Sequence, residues 1–498
     1  MSNLVLIDLE KDDLKIYENN CFYINFNKGK INITNSKNIS FSQLKNFDKK
    51  SRLDLAKSLK KKIKTFNDDF FQELELFNLR NDKIFSISKI INFIKLNYFL
   101  KGKKFKTIKL ITDDYSSIKI LKSLNSKTII DYKKKKKSFN FVFFKISKFY
   151  VKALFLIIYI KLKKKLIPKV KNEVCMTIYP NFFLKEEDIF YKKKNVSLIN
   201  FLITDETHLN HSFLELIFTY NKISKTNTII VEQFINIIDV ITCYFKTVFK
   251  LISLRKNDMH LKVNNLNLND FYVKNFYTSF INRSKLEIYN KAIPKIIKRF
   301  NINIFNLYLF EYSFGFYLIK KFKQNHVYVK GYQHGIFSNK LFWFDLIYNK
   351  KKYHPNEVIS SNKYSDNQYR KIFGKDIKIK LNKKKISSLL EGMKNITKNS
   401  SRNILILPGT HDVEDLYIYV KDQLLNNDKF VYFFKLHPKN KFSFKQTSKI
   451  KIIKNIKNIR NINYKKIIVS STSTLVYDFK EKKILVEVFA PDYKVSSY

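Results

Sequence analysis

Glycine, proline and cysteine are what this chain of 498 residues has least of: eight, seven and three, against 47 phenylalanines and 30 tyrosines. Cys21, Cys175 and Cys243 are odd in number, far apart and never in a Cys-x-x-Cys pair. That excludes a disulfide scaffold or a zinc knuckle and points to a reducing compartment. No basic stretch followed by a signal-type apolar run opens the chain, and Met1–Asp8 reads instead as a first strand, so a cytoplasmic location is expected. There is no internal repeat, no heptad pattern and no Walker sequence, and Gly102-Lys103 stands outside any phosphate-loop context. An Asp-x-Asp motif of the metal-dependent transferase kind is also missing, so no metal is expected.

Acidic residues are few: 42 against 95 basic ones, for a formal charge of +53. Lys, Ile, Asn, Phe and Tyr are abundant together while Gly, Pro and Ala are scarce, the joint skew of AT-rich codons. The charge is therefore not read as a nucleic-acid signature. Attraction to polyanions or an anionic membrane surface still follows from it. An apolar fraction of 45% and an aromatic fraction of 16% indicate folded domains with real cores.

One segment is apolar without being clean. Lys133–Lys137 precede Phe139–Leu162, which Lys145, Lys148, Lys152 and Lys161 interrupt. No run of about 20 apolar residues is left to span a bilayer. Two readings stay open: a half-buried helix with solvated lysines, or an amphipathic helix lying in a membrane interface.

The surviving glycines are unevenly placed. Six fall between Gly315 and Gly409 (with Gly331, Gly335, Gly374 and Gly392), and two frame a histidine in Gly331-Tyr332-Gln333-His334-Gly335. Strands are expected at 108–113, 173–179, 196–203, 303–309 and 326–329, and helices over most of 212–300. From Asn403 strand and helix alternate: β at 403–407, helix at 413–426, β at 430–436, β at 467–469, helix at 474–480, β at 484–489. Such alternation predicts a parallel, doubly wound sheet. The polar stretch at 349–355 suggests a junction, giving an acceptor-side domain at 1–345 and a nucleotide-binding domain at 355–498.

Four motifs sit at expected strand ends, where open α/β sheets bind ligands. Pro408-Gly409-Thr410 precedes a helix and suits an anion at its N-terminus, or is an ordinary turn. His437-Pro438 follow the next strand, with Lys435 two residues earlier on the same face; the histidine can meet a phosphate oxygen or lie idle on a loop. Ser470-Ser471-Thr472-Ser473 offers more hydroxyls than N-capping requires. Glu311, between Phe310 and Tyr312, could be a general base or a paired surface acid, and His334 could orient a substrate hydroxyl. Asp205-Glu206 is a second carboxylate candidate. Asp412, Glu414 and Asp415 read as complements to a helix dipole.

At these residues the chain resembles bacterial surface-polysaccharide glycosyltransferases of the two-domain GT-B architecture. The pieces that match are the Gly-x-Gln-His-Gly loop at 331–335, Glu311, Lys-x-His-Pro at 435–438 and the Ser-Ser run from Ser470. The His-Pro and Ser-Ser pairs look like those of polysialyltransferases and capsule Kdo transferases. The resemblance covers about residues 300–490. It implies two Rossmann-like domains facing across a cleft, and a CMP-activated acidic sugar as donor substrate with no separate cofactor. Gly409, Thr410, Lys435, His437, Pro438, Ser470, Ser471 and Thr472 would hold the nucleotide phosphate, and Glu311, His334 and His437 would serve catalysis. An anionic glycan or lipid-linked acceptor is implied as partner, with peripheral contact at the inner membrane face. Similar motifs occur in transferases that use CDP-glycerol, and a non-catalytic glycan- or membrane-binding protein on the same scaffold is a further alternative. The chain departs from the family in having no Asp-Asp-Gly or Glu-Asp-Gly base motif. It also lacks, soon after the last expected strand, the helices by which many GT-B proteins cross back to the first domain.

Overall fold

A computed structural model describes residues 3–9, 14–15, 21–26, 31–32, 36–78, 85–103, 105–124, 128–132, 141–163, 168–176, 196–203, 212–308, 312–333, 337, 351–382, 400–409, 412–436, 442, 444–453, 459, 461–473 and 475–494. The chain is α/β, with parallel sheets flanked by helices. The first sheet uses β1 (Leu4–Asp8), β3 (Phe22–Asn25), β5 (Lys37–Asn38), β6 (Ile108–Thr112) and β7 (Thr128–Tyr132), in the order β5-β3-β1-β6-β7. Two short strands, β2 (Leu14–Lys15) and β4 (Ile31–Asn32), pair beside it. β1 is Leu-Val-Leu-Ile-Asp and buried at every position. That is the pattern of a central parallel strand covered on both faces. Helices α1 (Asp48–Lys64), α2 (Ile87–Lys101) and α3 (Tyr115–Leu124) belong to this part.

The middle sheet is larger. It contains β8 (Glu173–Met176), β9 (Ser197–Asn200), β10 (Thr228–Ile230), then, after a hairpin of β11 (Lys262–Val263) and β12 (Leu266–Asn267), β13 (Ile304–Tyr308), β14 (Tyr328–Tyr332), β15 (Glu357–Ser360) and β16 (Lys378–Leu381). The hairpin turns through Asn264 and Asn265 at φ 47° and 71°, the left-handed pair that a tight two-residue turn needs. The sheet order is β10-β9-β8-β13-β14-β15-β16. Its helices are α4 (Phe141–Leu162), α5 (Phe213–Ile223), α6 (Ile237–Ile252), α7 (Asn269–Ser284), α8 (Ala292–Phe300), α9 (Ser313–Gln324) and α10 (Lys363–Phe373). Ser212 and Glu215 form a reciprocal capping box that starts α5.

The last sheet runs β19-β18-β17-β20-β21, from β17 (Asn403–Leu407), β18 (Val431–Phe434), β19 (Ile450–Ile452), β20 (Lys466–Ser470) and β21 (Glu487–Phe489), with helices α11 (Val413–Asn426) and α12 (Leu475–Glu481). All three sheets share one serial pattern. The first strand lies centrally, the next two extend to one side and the rest to the other. The chain therefore reverses direction at β1/β6, β8/β13 and β17/β20, the switch points where such sheets open a crevice at their carboxyl ends.

The sheets divide the chain differently from the junction expected at 345–355. β14 and β15 flank that stretch and pair in parallel, Lys330 opposite Glu357 through Tyr332 opposite Ile359, so it interrupts one sheet and not two domains. One continuous apolar core reaches from Leu4 to Ile379 and serves the first two sheets. The last sheet has its own two apolar clusters on its two faces. The change of core falls between β16 and β17. Across it, Tyr364 of α10 stacks on Tyr477 of α12 at 4.4 Å, and the Tyr477 hydroxyl donates to the Phe337 carbonyl at 2.8 Å.

The residues after β21 turn back to the first sheet. Asp492 accepts from the Ser40 hydroxyl at 2.6 Å and the Phe41 amide at 2.9 Å, and Asn92 Nδ2 donates to the Tyr493 carbonyl at 2.8 Å. A crossing-back is thus present, made among the described residues by a turn in which the Lys494 amide donates to the Pro491 carbonyl at 3.0 Å.

Buried charge also ties the first part to the middle one. Glu73 is fully buried between Arg283 (2.9 Å to Nε), Lys320 and the Tyr353 hydroxyl (3.1 Å). Arg283 also meets Glu287 at 2.6 Å and lies over the Phe70 and Tyr317 rings. Burial alone would lower the Arg283 pKa, but Glu73 and Glu287 raise it above the ordinary value. Burial likewise works to raise that of Glu287, and the charge of Arg283 outweighs it and holds the carboxyl low. A desolvated pair tolerates burial only with such complete pairing.

Candidate functional site at the last switch point

β17 and β20 are adjacent and parallel, Ile404 opposite Lys466 through Leu407 opposite Val469. Their carboxyl ends therefore deliver Pro408-Gly409 and Ser470-Ser471-Thr472 to one place. Asp412 lies between them and is 2% exposed. Its Oδ1 accepts from the Gly409 amide at 2.8 Å. Its Oδ2 accepts from the Ser470 hydroxyl and, at 3.2 Å, from that of Thr472. The two hydroxyls lie 2.8 Å apart, and the Thr472 amide donates to Ser470 Oγ at 3.0 Å. Ser471 is also buried, its amide bound to the Phe489 carbonyl of β21 at 2.7 Å.

Glycine at 409 is a requirement of space. A Cβ there would meet Thr472 Oγ1 at 2.4 Å, Asp412 Oδ1 at 3.0 Å and Ser470 Oγ at 3.2 Å. The close approach of the two loops depends on its absence. The other described glycines of the cluster have separate reasons. Gly315 is inside α9, Gly331 is in the regular ladder of β14, and Gly374 ends α10 at φ 58°.

Lys435 lies just past β18, on the other side of β17, and its amide donates to the Ile406 carbonyl at 3.0 Å. Gly409, Lys435, Ser470, Ser471 and Thr472 thus share one sheet edge. Helix α11 begins at the same edge. Asp412 occupies its N-cap position, yet makes no side-chain bond back to the first turn, because the carboxylate is turned to the two loops. Glu414 and Asp415 follow in that turn. Asp415 is neutralised by Lys494 at 2.9 Å and accepts from the Tyr493 hydroxyl at 2.5 Å. Sequence reading took Asp412 for a complement to the helix dipole and missed that its side chain reaches back to the Gly409 amide.

Glu311, His334, Thr410, His437 and Pro438 lie outside the described residues, as do Asp205-Glu206 and Lys133–Lys137. The neighbour of His334 is described: Gln333 is buried, its Nε2 donating to Ser365 Oγ and its Oε1 accepting from the Ser361 amide, both at 2.8 Å. That part of the Gly331–Gly335 motif joins β14 to the start of α10.

The other sheets also hold buried acids at their carboxyl ends. At the first switch point Asp8 (1% exposed) accepts from Thr112 Oγ1 at 3.0 Å and Ser117 Oγ at 2.5 Å, and pairs with Lys89 at 2.7 Å. Lys89 also meets Asp114 at 3.0 Å. Burial would lower the Lys89 pKa, and the two aspartates raise it above the ordinary value. In the middle sheet Glu232 follows β10. Its Oε1 accepts from the Leu202 and Ile203 amides at 2.7 and 3.0 Å and the Tyr289 hydroxyl at 2.7 Å, while Oε2 is buried without a hydrogen-bond partner. Burial pushes its pKa up to about 7, the three donors only partly opposing it.

Among the described residues no helix is long and apolar enough to cross a membrane. Comparison with protein-family models, with curated proteins and with solved structures found no match.

Proposed function

We propose that the chain is a glycosyltransferase of surface-glycan assembly that takes an acidic sugar from a CMP-sugar, its two α/β bodies facing each other in the GT-B manner. One observation carries the reading. Gly409, Ser470 and Thr472 meet at a topological switch point beside the start of α11, whose first turn receives no side-chain cap from Asp412, and Lys435 lies along the same sheet edge. Helix N-termini at such points favour phosphate. In this reading Asp412 holds the two loops together, the start of α11 and Lys435 face the donor phosphate, and His437 stabilises the departing CMP. Glu311 or His334 would deprotonate or orient the acceptor hydroxyl, and the donor is held without a metal ion.

A second reading is favoured by the same network. The Gly409 amide and the two hydroxyls are already engaged by Asp412, as in a structural knot, which suits a non-catalytic glycan- or membrane-binding protein on this scaffold. Melting temperatures measured with CMP, CDP, UDP and GDP, with and without chelator, separate the two. The transferase reading expects a rise with cytidine nucleotides that the chelator leaves intact. No rise with any nucleotide would reject it in favour of the second.

A further inference from the structure

We infer that α4, α5 and α6 form a face that docks on an anionic lipid surface. Seventeen large apolar side chains of the described residues are exposed, and thirteen of them lie on these three helices. The concentration is too great for scattered surface residues, and large contiguous apolar patches mark interaction sites. The helices are neighbours. Ser147 Oγ of α4 is 3.1 Å from the Tyr244 hydroxyl of α6, and Tyr150 OH is 2.9 Å from Thr247 Oγ1. Farther along α4, the Phe155 and Phe213 rings meet at 6.4 Å, and Tyr159 donates to Asn221 of α5 at 2.9 Å.

Each helix is apolar on two sides. α4 buries Ile146, Phe149, Ala153, Leu156, Ile157 and Ile160 in the core. Its exposed apolar residues at 144, 151, 155 and 162 recur four or seven apart, on one stripe. On α6 the exposed residues at 238, 241, 245, 249 and 252 recur three or four apart. Phe155, Phe218 and Phe249 are 57%, 69% and 74% exposed. A helix that is apolar beyond its core-facing stripe has a second apolar surface to cover.

Charge decides the occupant. The three helices carry seven lysines, of which Lys250 pairs with Asp68 and Lys161 donates to the Gln233 carbonyl, and two acids. Both acids are engaged: Asp239 with Lys291 at 2.8 Å and Lys295, Glu215 in its capping box. Two such faces brought together would repel, whereas an anionic bilayer attracts the lysines and accepts the aromatic side chains at its headgroup boundary. The inference is independent of the transferase reading, since nucleotide-induced melting shifts do not report on it.

The test is co-sedimentation with phosphatidylcholine vesicles, with and without phosphatidylglycerol. The full chain is compared with a variant carrying Phe144→Ser, Phe155→Ser, Phe245→Ser and Phe249→Ser. The full chain should bind the anionic vesicles, and neutral ones at least about tenfold more weakly. The variant keeps every charge, so its expected loss on anionic vesicles, at least about tenfold, isolates the apolar contact. Its melting temperature should fall only slightly, because all four rings are more than half exposed. Undiminished binding by the variant would overturn the proposal, as would sedimentation velocity showing that the substitutions split a dimer. Should the variant fail to fold, Lys148→Glu with Lys246→Glu, both exposed, must weaken anionic binding by a similar factor, and undiminished binding there overturns it equally.

Discussion

The first and last sheets place the same device at the same point. In each, an aspartate at the switch point is buried and gathers two hydroxyls, Thr112 and Ser117 on Asp8, Ser470 and Thr472 on Asp412. They differ in what balances the charge. Asp8 has Lys89, itself held by Asp114. Asp412 has, among the described residues, only the Gly409 amide and the hydroxyls. A closed ion pair in a dry setting is rigid and intolerant of losing a member. A carboxylate held by rotatable hydroxyls and one amide can exchange partners at lower cost. The first switch point is thus built to stay shut, and the last is built to be rearranged. That contrast supports proposing the ligand site at the last one.

Stability measurements can break this contrast. Asp8→Ala should be the most damaging change, costing ~3 kcal/mol or more, because Lys89 is left half-compensated and two hydroxyls lose their acceptor. Asp412→Ala strands no cation, and Ser470 and Thr472 can still bond each other, so ~1–2 kcal/mol is expected. Urea midpoints decide it, and an Asp412 cost equal to that of Asp8 would erase the distinction.

Glu232 sharpens the comparison, being a buried acid with neutral donors and, among the described residues, no cation paired to it. Its folded pKa of about 7 exceeds its ordinary value of 4.5, so the native state keeps a proton that the unfolded chain has released. That contribution is whole below about pH 4.5 and disappears as pH rises to about 7. Stability should fall by roughly 3 kcal/mol across the window. Glu232→Gln, neutral throughout, should flatten that part of the pH profile in urea titrations, and an unaltered slope would assign it to other groups.

Gly409→Ala should cost about 1–3 kcal/mol by forcing Thr472 away, and should reduce any nucleotide-induced melting shift. Gly102→Ala is the matching control: Gly102 follows α2 at φ −95°, and the nearest atom to its Cβ would be 3.8 Å away. That change should be nearly neutral. Equal costs at the two positions would show that the Gly409 approach is not tight. The smallest effect concerns salt. The Asp8→Ala difference should barely change with added salt, because its pair is buried and weakly screened.

Most of the last sheet was legible in the sequence, but not its edge strand β19 (Ile450–Ile452), which sits in a lysine-rich stretch without a clear apolar run. Asn403–Leu407 and Val413–Asn426 have the expected bounds, since buried β-branched runs and helical periods alternate there without interruption. The first strand was read equally well from its unbroken apolar run. The division of the chain was not legible at 349–355. A polar stretch between two paired parallel strands looks, in sequence, like one between domains, and only the ladder from β14 to β15 distinguishes them. Nor could motif spacing show how Asp412 would be used. At an N-cap position an aspartate ordinarily turns to its own helix. Here Gly409 leaves room for the carboxylate to turn the other way.

The bond between Ser40 and Asp492 joins residues 452 apart in sequence. Nearly everything between them must reach its place before it can form, which makes it a late event in folding. The entropic cost of closing so long a loop grows only logarithmically with its length, so the contact is slow to arrive but not prohibitively costly to keep. It is also exposed, and can open without disturbing either core. The Phe41 amide, which donates to Asp492, should therefore exchange its hydrogen much faster than the amides of β1, and late in refolding should be among the last to gain protection. The chain is, in effect, a ring whose clasp is this exposed turn.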